Sequence, residues 1–251
     1  MLTSTYIHIP RVGATVEKKI WASGIRTWDD FLDKKSDLHI PRSKMELIIP
    51  GIEESRERLM SLDCEFFASS LPSAEHWRAF PELGDKVAYV DIETTGLSPC
   101  HSHITVIGIY DGKEAKTFIR GIDMGDIVEE FEKYDFLVTF NGARFDLPFI
   151  KREFPQVDLN KLHADLMYPL RRISLTGGLK KIEVELGITR NEGVAGISGF
   201  DAVRLWHQYE KGDQEALELL LEYNRADIVN LETIMQMTLP RFIDNKFADC
   251  R

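Results

Sequence analysis

Three short β-rich runs lie close together in the middle of the chain: KVAYVDIE from Lys86, ITVIGIYDG from Ile104 and EAKTFIRG from Glu114. Each is rich in β-branched and aromatic residues and is bounded by turn formers. The Asp111-Gly112 step between the second and third is a hairpin signal. A helical pattern, DMGDIVEEFEKY, comes next, and FLVTFNG then reads as a fourth strand closed by Asn141-Gly142. The remainder reads as helical, apart from a possible strand near Leu162 to Leu166, and its last long helix is expected over Gln214 to Met237. Meandering strands, a helix, a further strand and then helices predict a mixed α/β fold.

The first run ends in AYVDIETTGLSP. Asp91 and Glu93 are two residues apart, so their side chains share one face of a strand and Ile92 takes the other. Paired carboxylates repel, and burial increases the repulsion. Alone, the pair fits either a solvated strand end or half of a cation site. Asp146, in NGARFDLPFI, falls at a helix start just before Pro148, where the helix dipole favours an acid; a capping role fits equally well. Tyr223 and Asp227, in LLLEYNRADIVNLETI, are four apart and share one helix face. Polar groups among so many leucines need partners, which a core neighbour could supply. Taken together, four carboxylates without His or Cys suit Mg²⁺ or Mn²⁺ rather than zinc. Four can hold two ions about 3.5 to 4 Å apart, the spacing used for in-line attack on a phosphodiester.

The 251 residues suffice for one large domain, or one domain and a small companion. A chain 43% hydrophobic and 29% charged has the makings of a globular core. The net charge of −10 argues against non-specific adhesion to polyanions, yet an acidic catalytic cluster and a locally basic groove can coexist in one enzyme. Cys64, Cys100 and Cys250 are widely spaced and odd in number, which suggests neither a disulfide framework nor a zinc site and fits a reducing cytoplasm. No apolar run approaches about 18 residues, so no membrane span is expected. The opening residues do not read as a signal peptide.

Residues 1–80 are expected to form a small all-α region. A helix, ATVEKKIWAS, should end at Gly24, and Thr27 should cap the next, with Asp29 and Asp30 in its first turn. A weaker second unit, similar to the first and a hint of repetition, is expected where Ile49-Pro50-Gly51-Ile52 leads into EESRERLMSL, and Pro72 to Gly84 reads as a linker or boundary.

The segments DIETTGL, NGARFDLP and YNRADIVN resemble, in order, the three exonuclease motifs of the DEDD superfamily, the ribonuclease-H-like, DnaQ-type 3′-to-5′ exonucleases. The match places Asp91 and Glu93 in the first motif, Asn141 and Asp146 in the second, and Tyr223 and Asp227 in the third. A Tyr four residues before the last Asp puts it in the DEDDy branch, and LKKIEVELGITR resembles the helix between the later motifs, nearest to the YprB type. The resemblance implies a ribonuclease-H-like mixed sheet flanked by helices over residues 86–251. It implies that Asp91, Glu93, Asp146 and Asp227 bind two divalent ions, Mg²⁺ or Mn²⁺, while Tyr223 orients the attacking water. Thr94, Thr95 and Gly96 would meet the terminal nucleotide through backbone amides, Leu97 would wedge beside its base, and Asn141 and Phe145 would line the same cleft. The implied partner is nucleic acid, as a single strand or 3′ end of DNA or RNA. Two other readings remain open: a non-catalytic nucleic-acid-binding module, and an endonuclease or oligonucleotide phosphodiesterase. His163 and Asp165 are expected to cap an element, Asp201 to start a helix, and Lys180 and Lys181 to lie on a solvated helix face. IPRVGATVEKKIWASGI resembles a helix-hairpin-helix element with Val12-Gly13 as its turn and Arg11, Lys18 and Lys19 nearby. Residues 1–50 are mildly basic, with eight Lys and Arg against six Asp and Glu, which fits contact with a phosphate backbone.

Overall fold

All five expected strands form in the computed structural model, which describes residues 1–248. Cys250 and the end of the expected 86–251 region lie outside the described residues. The strands are β1 (Val87–Thr94), β2 (Ile104–Tyr110), β3 (Ala115–Ile119), β4 (Phe136–Thr139) and β5 (Leu162–Asp165). They make one sheet in the order β3-β2-β1-β4-β5. β1 runs antiparallel to β2 and parallel to β4, and β2 is antiparallel to β3. Asp111 closes the β2–β3 hairpin, its Oδ1 accepting from the amides of Lys113 (2.8 Å) and Glu114 (2.7 Å).

Alternation along β1 and β2 sorts their side chains between two cores. Ala88, Val90 and Ile92 pack with Ile107 and Ile109 against Ile127 and Phe131 of the Ile127–Phe131 helix and Phe149 and Ile150 of the Asp146–Glu153 helix. On the other face Val106 packs with Trp206 of the Gly199–Tyr209 helix and with Leu217, Leu220 and Tyr223 of the Gln214–Ala248 helix. Each fully buried side chain of this size contributes about 1.5–3 kcal/mol. The fold is the expected mixed five-stranded sheet flanked by helices.

The chain divides into two compact units. One holds residues 1–85, 160–164 and those from Leu239 onward; the other holds 86–159 and 165–238. The N-terminal unit is helical, with helices Ala14–Ala22, Trp28–Lys34, Arg42–Met60 and Cys64–Ser70. Thr27 and Asp30 form a capping box, as the sequence suggested.

Several local expectations are corrected. Pro50 and Gly51 do not start a second unit; they lie inside the Arg42–Met60 helix. Pro50 removes one helical hydrogen bond. Gly51 admits Ile9, since an added Cβ would come within 2.7 Å of Ile9 Cγ2. The second Gly-containing unit therefore does not repeat the first. Only a short 3₁₀ turn, Leu2–Ser4, precedes Val12-Gly13, where a helix-hairpin-helix needs a helix. Pro72 to Gly84 is not an open linker, because it forms a 3₁₀ helix, Ser73–Ala79, and a short α-helix, Phe80–Leu83, with Trp77 and Arg78 buried; the division between the two units follows it, after Asp85. The last helix does not stop near Met237 but continues through Pro240 to Ala248. Contacts near its end offset the proline: Phe242 meets Trp77 edge-on at 5.5 Å, and Lys246 Nζ pairs with Glu75 at 2.8 Å. Neither Cys64 nor Cys100 forms a disulfide among the described residues. Among the described residues no helix is long and apolar enough to cross a membrane.

Candidate active site

β1 delivers Asp91 and Glu93 to the face opposite Ile92, across from Gly108 and Val106 of β2. Gly108 is a strand glycine with a purpose, because an added Cβ would collide with Asn224 Oδ1. The space it leaves lets Asn224 reach β1, where Nδ2 donates to Asp91 Oδ2 (3.1 Å) and to the Asp91 carbonyl (3.3 Å). One turn further along the same helix comes Asp227. Carboxylate oxygens of Asp91, Glu93 and Asp227 all lie within 4.8 Å of one another. Asp146, first residue of its helix, is set back from this group, and its Oδ1 accepts from the Ile92 amide at 3.1 Å.

Burial and mutual repulsion govern these acids. Asp91 and Glu93 are both pushed well above the ordinary carboxylate range, first by burial and then by Asp227 and Asp146. Burial pushes Asp146 up to about 7, against the pull of the amides of Asp146 itself and Ile92. Asp227 is raised by burial and held back by Arg190. Burial raises the Tyr223 phenol far above its usual range, and Asp227, Glu93 and Asp91 raise it further, so its proton stays on. The donor set is all carboxylate oxygen, and its repulsion is relieved by a hard divalent cation, so these residues fit Mg²⁺ or Mn²⁺.

A cavity of about 660 Å³ opens over the acids. Asp91, Glu93, Tyr223 and Asp227 line it, and so do Thr94, Thr95, Gly96, Leu97, Asn141 and Phe145. Of the expected site residues, Asp146 is the one outside this lining among the described residues. The Thr95 loop is fixed to the chain beyond it: Thr95 N donates to the His103 carbonyl, and Thr95 Oγ1 accepts from His103 N, both at 2.9 Å. Asn141 makes the sharp exit from β4 in the left-handed region, with φ 64°, which Asn tolerates better than most residues. Asp165 holds this turn by accepting from the amides of Asn141 (2.7 Å) and Ala143 (3.1 Å), the capping role expected of it. Asp201 forms a capping box with Ser198, also as expected. His163 is half-buried, and its amide donates to His76 Nδ1 at 3.1 Å.

Four features escaped the sequence reading. Phe200 lines the cavity and is 75% exposed, while Leu97 is 86% exposed. Asn224 fixes Asp91, and its signal was an uncharged amide beside Tyr223 in the helix that carries Asp227. Arg190 Nη2 bonds Asp227 Oδ1 and also Glu183 Oε1 (2.6 Å), while its Nε donates to Glu183 Oε2 (2.7 Å). Lys180 is not solvated as expected, because its ammonium lies 4.6 Å from the Tyr223 ring centroid and is buried without a hydrogen-bond partner. Lys181 remains exposed and pairs with Glu185 at 3.6 Å.

A family profile described as the RNase_H superfamily matches residues 88–239. Among solved structures, the family B DNA polymerase of the hyperthermophilic archaeon Pyrobaculum calidifontis aligns with a TM-score of 0.50 at 16% identity, over 61% of this chain and 24% of the polymerase. The chain thus spans about a quarter of that protein, and the likeness is one of fold. Brucella melitensis NrnC bound to pGG aligns with a TM-score of 0.45 at 18% identity, over 72% of this chain and 82% of NrnC. The same protein with bound Mg²⁺ gives 0.41 at 18%, over 72% and 84%. None of the curated proteins compared matches the chain. The profile covers more than half of the sequence, and it takes in Asp91, Glu93, Asp146 and Asp227: the chain belongs to the RNase_H superfamily.

Proposed function

We propose that the chain is a metal-dependent 3′-to-5′ exonuclease of the DEDDy type, acting on a single strand or 3′ end of nucleic acid. The observation that carries the proposal is the meeting of Asp91, Glu93 and Asp227 beneath an open cavity, beside a buried Tyr223. Asp91, Glu93 and Asp227 would hold divalent ions, with Asp146 completing a four-carboxylate set for two Mg²⁺ or Mn²⁺. Bound there, the ions supply Lewis-acid activation of water and neutralise charge on the phosphodiester.

The chain's own residues do the rest. Asn224 fixes the direction of Asp91, and the Ile92 amide fixes Asp146. Tyr223 keeps its proton and so serves as a hydrogen-bond donor that orients the attacking water, not as a base. Exposed Leu97 and Phe200 offer apolar surfaces on which a terminal base can stack, a contact indifferent to sequence. Thr94, Thr95, Gly96, Asn141 and Phe145 line the path of the terminal nucleotide. Residues 86–238 would then carry the chemistry.

The test is a gel assay on matched DNA and RNA single strands labelled at the 5′ end, with Mg²⁺, with Mn²⁺ and with chelator, beside Asp91→Ala. A metal-dependent ladder shortening from the 3′ end, absent in the variant, is expected. Cleavage of a circular strand would replace this reading with an endonuclease. Binding of strands without cleavage under any condition would replace it with a binding module.

A further inference from the structure

The acids of the cleft are not all held alike. Asp91 takes the neutral amide of Asn224, and Asp146 takes a backbone amide. Asp227 takes a cation, the Arg190 guanidinium, through the same Nη2 that bonds Glu183. The Arg190 side chain is only 4% exposed. Its Nε and Nη2 grip both oxygens of Glu183, which Asn230 Nδ2 also reaches at 3.0 Å, and its Cζ stands 5.6 Å from the Tyr223 ring centroid. Its Nη1 is buried without a partner, so the two carboxylates and the ring, not saturation of its donors, fix the guanidinium in place.

We propose that Arg190 is a tethered counter-cation of the carboxylate cage, one that occupies Asp227 in the metal-free chain and competes there with the divalent ion. The inference rests on the metal-dependent reading above. A buried carboxylate cluster without a cation is strongly disfavoured, and a tethered guanidinium relieves it without the entropic cost of binding a free ion. The same contact makes Asp227 a poorer ligand, because its charge is already partly neutralised when the ion arrives. The ion at Asp227 is therefore held more weakly and exchanges more readily than three bare carboxylates would allow. Glu183 sets the strength of this competition. By sharing the guanidinium it draws positive charge away from Asp227.

Two substitutions should move metal affinity in opposite directions, which a merely structural salt bridge would not do. Mn²⁺ binding by the full chain is measured by calorimetry, and unfolding of the metal-free protein by its melting temperature. Arg190→Gln is expected to tighten Mn²⁺ binding by roughly tenfold, the size of a one-unit pKa change from one adjacent charge. It should also lower the melting temperature of the metal-free protein. Glu183→Gln leaves Arg190 facing Asp227 alone and is expected to weaken Mn²⁺ binding. If Glu183 without its partner prevents folding of the first variant, the double variant Arg190→Gln/Glu183→Gln removes both charges together and should still bind Mn²⁺ more tightly than wild type. Unchanged or weaker binding in the variants lacking Arg190 overturns the proposal while the nuclease reading stands. Absence of Mn²⁺ binding by the wild-type chain overturns both.

Discussion

In the N-terminal unit, Arg78 is buried with Glu17 at 2.9 Å and Glu75 at 2.6 Å, and Lys246 completes the set at Glu75. Two acids there face two cations, and the Tyr6 amide takes up a further Glu17 lone pair at 2.8 Å. In the sheet unit Asp91, Glu93 and Asp227 are gathered, with Asp146 set just behind them, and Arg190 bonds Asp227 while it is shared with a fifth acid, Glu183. Both clusters bury charge, but only the first balances it. Balanced burial fixes a structure, whereas unbalanced burial leaves a site whose stable state needs a cation from outside. The difference separates, within one chain, ionic groups that hold the fold from ionic groups that the fold holds for another purpose.

The contrast is tested most severely by one substitution in each unit. Asp146→Asn should abolish metal-dependent cleavage while leaving the metal-free protein at least as stable, since the amide can still accept from Ile92 and a repelling charge is gone. Arg78→Met should act the other way round. It strips Glu17 of its partner and should cost about 3–5 kcal/mol in chemical denaturation, as breaking a buried pair does. Cleavage per folded molecule should not change. If Asp146→Asn unfolded the protein and Arg78→Met did not, the assignment of the two clusters would be reversed.

Smaller effects sharpen the same picture. Tyr223→Phe should slow turnover by roughly 10- to 100-fold, as loss of an orienting hydrogen bond does, without changing Mn²⁺ affinity. Equal rates for the two proteins would remove Tyr223 from the chemistry. The pH dependence of stability carries a sign. Asp146 has a folded pKa of about 7 against an ordinary 3.8, so over that window the folded chain keeps a proton that the unfolded chain has released. This contribution is full below 3.8 and is lost as pH rises towards 7. Metal-free protein should therefore melt at lower temperature at pH 7 than at pH 4. Asp146→Asn should flatten that slope, and a slope steeper in the variant would show that other groups dominate.

The strands and most of the site were legible because they rest on local patterns. Asp91 and Glu93 declare themselves by a period of two at a strand end, and Tyr223 and Asp227 by a period of four on a helix. The rest depended on partners remote in sequence. Nothing near Asn224 points to Asp91, which lies 133 residues earlier, or near Arg190 to Asp227, 37 residues later. Pro50 and Pro240 punctuate a sequence but not these helices, where packing of Ile9 against Gly51 and of Phe242 against Trp77 outweighs local preference. Lys180 looked solvated because the ring that covers it belongs to another helix.

The register shift between Glu93 and Thr94 has a consequence for parity. Glu93 faces Val106 but Thr94 faces Ile104, so Thr105 is the odd residue in β2. Ile104 thereby joins Ile107 and Ile109 in one core, although counting by twos would group it with Val106. The bonds that tie Thr95 to His103 begin just past this point. Strand phase and loop placement are thus a single variable: pairing Thr94 with Thr105, as an unshifted ladder would, turns Ile104 to the opposite face and carries the Thr95–Leu97 loop with it, re-aiming the mouth of the cleft without changing any residue in it.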